Sequence, residues 1–290
     1  MTDILKIDFN VDDRWSDLSA FFDKFCPWIN DGRGADSLLD LSSCSYLGPY
    51  AASSIYAVWA SMKNQGKPFD VKLPSGPPPL KAFCKFSGLD HYLHKGSRPN
   101  EDHPDCETVP LRVSYSPRAD TGSPLIKLLN RHIQLSSESE EYLRLCLQEV
   151  TQNIADHSES SFGGVWCGRF FRKTNEVRIA CVDCGVGIRG SLERRHTDIR
   201  SSSDALERVF KGGFSSQSRE NNMGLGISHL VNWVRTMNGS LAVLSDNGVG
   251  LADVDSELTV FHDLPFHFGG TGVFFTVSVN EDQAQPSDEY

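Results

Sequence analysis

The stretch "CVDCGVGI" (Cys181–Ile188) carries two cysteines spaced Cys-x-x-Cys, an aspartate between them and a Gly-x-Gly directly after. As a thiol pair it would mark a metal or redox site. As the end of a strand it would bring backbone and one carboxyl up to a small molecule. The residues before it decide. "EVRIACVD" (176–183) alternates as a strand does, and successive strand side chains point to opposite faces. Cys181 and Asp183 then share a face, and Cys184 points to the other. No second Cys-x-x-Cys or His pair is present to complete a zinc set. A thioredoxin-like redox pair needs a helix opening after its first cysteine, where this chain has Asp and then Gly-x-Gly. What remains is an acid at a strand end, followed by glycines that let a ligand ring approach the backbone.

Upstream, "EEYLRLCLQEVTQNIADHS" (140–158) repeats Leu143, Leu147, Val150 and Ile154 at helical spacing, the buried stripe of a long helix. Glu149 and Asn153 are four residues apart and lie on one face, with Asp156 a turn further on. A carboxamide oxygen suits Mg²⁺, and a carboxylate can orient or deprotonate a nucleophile beside a phosphate. Taken alone, the pair also fits a solvated polar face. Downstream, "NNMGLGISHLVNWVRTMNG" (221–239) sets Gly224, Leu225 and Gly226 before an amphipathic helix, with Gly239 as the expected cap at its far end. Exposed N–H groups at a helix start favour phosphate, though a plain glycine turn has the same look. "FGGTGVFFTV" (268–277) places Gly270-Thr271-Gly272 before an apolar strand.

In this order, helical Glu-x3-Asn, Asp-x-Gly-x-Gly after a strand, Gly-x-Gly before a helix and Gly-Thr-Gly before a strand resemble the four boxes of the GHKL ATPases. The resemblance covers roughly residues 108–280 and implies a Bergerat-type α/β sandwich binding ATP with Mg²⁺. It assigns Glu149 as general base, Asn153 as the Mg²⁺ ligand and Asp183 as acceptor of the adenine amino group. Asp156 joins the cofactor-binding set. Gly185 and Gly187 pack beside the adenine, Gly224, Leu225 and Gly226 sit at the phosphates, and Thr271 supports Asp183. "NIADHS" is similar to the Asn-Ala-x-x-His continuation of anti-sigma-factor and histidine kinases. Arg189 to Met223, read as loop-rich, would be the ATP lid. Within it, Lys211, Ser215, Ser216 and Arg219 are phosphate-side candidates or solvated loop residues.

The first 96 residues alternate strand and helix patterns: "ILKIDF", "WSDLSAFFDKFCPWIND", "SLLDL", a helix ending at Gly66, "FDVKL", and a helical "PPPLKAFCKFSGLDHYL". An α/β sheet covered by helices follows from that alternation. Asp-Leu-Ser at a strand end, "LGPYAASSIYAVW" and "SGLDHYL" resemble a STAS domain. Regulatory STAS domains carry a phosphorylatable serine where this chain reads Gly48-Pro49-Tyr50. The resemblance therefore implies a module for docking a protein partner or for homodimerisation, not a phosphoacceptor. Residues 97–107 read as a linker, and the acidic 281–290 as a tail.

Composition narrows the function. With 39% apolar residues the chain folds around a core, and its formal charge of −10 argues against nucleic acid as the primary ligand. No apolar run of 18 residues is present and the acidic start has no apolar signal core, so the expectation is a cytoplasmic protein without a membrane span. Three functions fit the resemblance: an ATP hydrolase that switches lid or dimer state, an ATP-dependent serine/threonine protein kinase of the anti-sigma-factor type, and a non-catalytic nucleotide-gated adaptor.

Overall fold

The computed structural model describes residues 3–32, 36–95, 107–114, 122–212, 226–253 and 256–279. The linker at 97–106, the tail at 281–290, and Ser215, Ser216, Arg219, Gly224 and Leu225 lie outside them.

The chain has an α/β fold built on two sheets. The N-terminal part is β1 (Asp3–Lys6), α1 (Trp15–Asn30), β2 (Ser37–Asp40), α2 (Pro49–Asn64), β3 (Asp70–Lys72), α3 (Pro78–Phe86) and α4 (Leu89–Lys95). Its three strands pair in parallel in the order β1-β2-β3, and the helical crossovers α1 and α2 supply the connections that parallel pairing demands. Gly66, at φ +75°, ends the α2 segment as its sequence suggests. The expected single helix over 77–93 is instead two, because Gly88 turns left-handed (φ +75°) between α3 and α4.

The second part runs β4 (Thr108–Ser114), α5 (Ser123–His132), α6 (Ser137–His157), β5 (Gly164–Phe171), β6 (Glu176–Asp183), α7 (Gly187–Leu192), α8 (Ser202–Lys211), α9 (Gly226–Thr236), β7 (Ser240–Asp253) and β8 (Ser256–Ser278). Its five strands form an antiparallel sheet in the order β4-β5-β6-β8-β7. The segment expected to be loop-rich after Ile188 contains most of α7 and all of α8. Ser201 caps α8 by accepting the Asp204 N–H at 3.1 Å, and Leu206 and Phe210 bury its apolar side. The Gly-Thr-Gly stretch lies within β8, which begins 14 residues before it. Asn238, at φ +49°, is the left-handed residue after α9, not Gly239; Gly239 is needed because a Cβ there would overlap the Thr276 carbonyl.

Alternation along β6 sorts the core into two layers. Val177, Ile179 and Cys181 face α5, α6 and α9, while Ala180 and Val182 face α1 and α2. Phe21, Phe22, Phe25 and Ala51 thus share one apolar cluster with Val165, Cys167 and Phe274 of the antiparallel sheet. Helix α2 is the centre of this layer: every residue from Pro49 to Met62 is buried. The helix that carried the STAS likeness is spent on the chain's own core, and Ser53 and Ser54 have no exposure at all.

Polar contacts lock the same junction. Arg178 of β6 donates through Nη1 to Asp12 at 2.7 Å, to Asp13 at 3.5 Å and to the Tyr46 hydroxyl at 3.3 Å, and through Nη2 to Glu176 at 2.8 Å. Asp13 accepts the Tyr50 N–H at 3.0 Å and so caps α2 from 37 residues away.

Candidate functional site

At its C-terminal end β6 delivers Asp183 to the face of the sheet that α6 covers. The carboxyl is 3% exposed, and it accepts the Gly185 N–H at 2.9 Å. Burial raises it to about 7, against the pull of N–H donation from Gly185 and Thr271. Thr271 stands directly opposite Asp183 in the β6–β8 register. An acid poised near neutrality at a strand end can accept a hydrogen bond from a ligand amino group as a carboxylate, or donate one as an acid.

The turn after Asp183 is built for close approach. A Cβ on Gly185 would overlap the Ser158 carbonyl oxygen, which itself accepts the Val186 N–H at 2.7 Å. That bond ties the end of α6 to the turn. Gly187 adopts φ +71°, a conformation that costs other residues roughly 1 kcal/mol or more. Ser245 of β7 then fixes the start of α7. Its hydroxyl accepts the Ile188 N–H at 2.8 Å and donates to the Gly270 carbonyl at 3.1 Å, with the Thr271 hydroxyl also at 3.1 Å. Sequence reasoning missed Ser245. Its signal was present, a serine closing the apolar alternation "SLAVLS" at a strand position facing the helices.

Cys181 and Cys184 do not form a pair. Cys181 lies in the core under α6 and α9, whereas Cys184 packs against the core under α1 and α2. Burial, then the neighbouring Asp183 charge, holds both thiols well above the ordinary cysteine value, so neither is a nucleophile or a ready metal ligand.

Glu149 and Asn153, four residues apart, share one face of α6. Asn153 is exposed and Glu149 half-buried, with burial raising its carboxyl above the usual range against the opposing effect of His229. Gly226, the first residue of α9, closes on Glu149 so tightly that a Cβ there would lie 2.8 Å from Oε2. Helices α6 and α9 are pinned further by Trp233 Nε1 donating to the Ser139 hydroxyl at 3.0 Å. His229, one turn into α9, adds a ring 5.5 Å from that of Tyr142.

The structure thus brings together Asp183, Gly185, Gly187 and Thr271, and separately Glu149 and Gly226. Asp156 is exposed and accepts from Gln152 at 2.6 Å. Lys211, at the end of α8, pairs with Glu207 at 2.6 Å and contacts none of these groups. The Asn153 carboxamide and Glu149 carboxylate are oxygen donors of the kind Mg²⁺ takes when phosphates and waters fill its remaining positions.

No protein-family model and no curated protein matches the chain. Among solved structures it is similar to the topoisomerase IV ATP-binding domain of Francisella tularensis, solved in complex with a small-molecule inhibitor. That likeness has a TM-score of 0.28 and 12% identity, over 63% of this chain and 45% of the other. The match spans less than half the length of that chain, and so distant a likeness says nothing of what this one binds.

Proposed function

We propose that the chain binds ATP with Mg²⁺ at the end of β6 and hydrolyses it. The observation that carries this is the buried Asp183 carboxyl beside two tightly packed glycines, with Thr271 opposite it. A nucleobase amino group satisfies such an acid, and its ring lies beside a turn in which Gly185 and Gly187 carry no side chain. Glu149, held half-buried against the start of α9, is the base that takes the proton of the attacking water. Asn153 holds Mg²⁺, which supplies charge neutralisation at the phosphates. Gly226 presents its N–H to them at the start of α9. A protein partner docking on the N-terminal part does so through surfaces other than α2, which is buried.

The test is a pair of measurements on purified protein. A fluorescent ATP analogue binds wild type and Glu149→Ala with similar affinity, and binds Asp183→Ala at least tenfold more weakly, about 1.4 kcal/mol. Phosphate release from Mg·ATP occurs with wild type and is lost in Glu149→Ala. Unchanged affinity in Asp183→Ala sinks the site. Binding without release, or label passing to an added protein, replaces hydrolysis with the adaptor or the kinase function.

A further inference from the structure

A cavity of about 500 Å³ lies where the N-terminal segment meets the antiparallel sheet. It is far from the proposed nucleotide site. It opens at Glu176, the start of β6, while Asp183 ends that strand about 23 Å away at strand rise, on the opposite face. Cavities of this size at the junction of two structural units are where small ligands bind.

Its floor is polar and partly spent. Arg178, 7% exposed, directs its guanidinium to Asp12, Asp13, Glu176 and Tyr46, and these contacts engage its Nε and Nη1 donors and one N–H of Nη2. Asp13 is fully committed to Arg178 and the Tyr50 N–H. Glu176 gives one oxygen, Oε2, to both Arg178 contacts and has its second oxygen left to bond. Asp253 stands exposed at the rim, outside that ion-pair set. The remaining lining cation, Arg14, is 75% exposed and turned to solvent beside Asp12. The cavity therefore carries four carboxyls against two guanidiniums, and stays net negative even with Asp13 protonated. Its walls are apolar: Leu18, Leu241, Ala242 and Phe274, joined by the half-buried Trp15, whose indole is the aromatic group that best attracts a cation.

We infer that this cavity binds a small organic cation, an ammonium or guanidinium group carried on an apolar body. The head group bonds the free oxygen of Glu176 and approaches Asp253, and the body lies against Trp15 and Leu241. An anion is disfavoured because the lining is net negative and the buried guanidinium already faces the carboxylates of Asp12, Asp13 and Glu176. A bare metal ion gains nothing from the apolar wall.

Agmatine and phenethylamine are the probes, with glutarate as the anionic control, titrated calorimetrically into the full chain. At least one amine binds saturably and glutarate does not. Asp253→Asn, which touches none of the ion pairs, weakens the amine roughly threefold, and Glu176→Gln roughly tenfold. Ala242→Trp fills the cavity and abolishes binding while thermal unfolding reports that the chain remains folded. If Ala242→Trp does not fold, the Asp253→Asn result decides alone. Absence of amine binding to wild type, equal binding in Asp253→Asn, amine binding that survives a folded Ala242→Trp, or tighter binding of glutarate overturns the inference.

Discussion

Burying a carboxyl at the end of β6 sets two demands against each other. The N–H groups of Gly185 and Thr271 favour the ionised form, and desolvation disfavours it more, so Asp183 titrates at about 7. Unfolded, the same group titrates near its ordinary value of 3.8. Between those two values the native state holds the proton and the unfolded state has lost it. Stability contributed at this position is therefore intact below about pH 4 and falls as pH rises toward 7. Asp183→Asn removes the titration but keeps an oxygen for the Gly185 N–H. In urea denaturation the variant matches wild type at pH 4 and exceeds it by roughly 2–4 kcal/mol at pH 8. An equal gap at both values overturns the assignment. The gain has a functional cost if the site binds nucleotide, because the new amide donates where a base amino group needs an acceptor.

Elements show what the sequence made legible and what it did not. The β6 strand and the separation of its thiols followed from alternation alone, and α6 from its Leu143–Leu147–Val150–Ile154 stripe. Asp183, Gly185 and Thr271 fell together because strand pairing carries local signals to one end of the sheet. Helices α7 and α8 were hidden by a segment rich in Arg, Ser and Gly, whose helicity depends on packing against β7 rather than on propensity. The burial of α2 was also missed, although "PYAASSIYAVWASM" has no charged residue, as expected of a helix covered all round. Ser245 escaped because a single hydroxyl has no periodicity. The junction of α6 with the turn after β6 gives a test at this scale. Gly185→Ala drives a methyl into the Ser158 carbonyl, backbone against backbone, with no side chain to rotate away. It lowers stability by about 2 kcal/mol or more and detaches the end of α6 from the site. Gly269→Ala, with open space around it, changes stability by less than about 0.5 kcal/mol. Thermal unfolding of the two variants side by side checks the contrast; equal losses would refute the packing account.

At the scale of the whole molecule, the two sheets stand or fall together. Helices α1 and α2 cover the sheet face made by Val165, Cys167, Ala180, Val182 and Phe274, so the N-terminal part cannot leave without exposing it. Arg178 is the polar counterpart of that shared core, with burial opposing its charge and Asp13, Tyr46 and Glu176 holding it protonated. Removing the guanidinium strands Asp13, which has no side-chain exposure and is already raised to about 7 by burial. Arg178→Ala is expected to cost about 3–5 kcal/mol, the usual loss when one partner of a buried pair is deleted. Arg178→Ala with Asp13→Asn costs less than Arg178→Ala alone, because the amide needs no counter-charge and still accepts the Tyr50 N–H. Trp59 on α2 and Trp166 on β5 lie on the two sides of the junction, and single-tryptophan versions retaining one or the other report each side separately. Both report the same urea midpoint in wild type and in Arg178→Ala, since the apolar layer between the sheets couples them even when the ion pairs are gone. An earlier transition at Trp59 than at Trp166 would mean that the N-terminal part unfolds on its own, and that the ion pairs rather than the buried α2 hold the molecule in one piece.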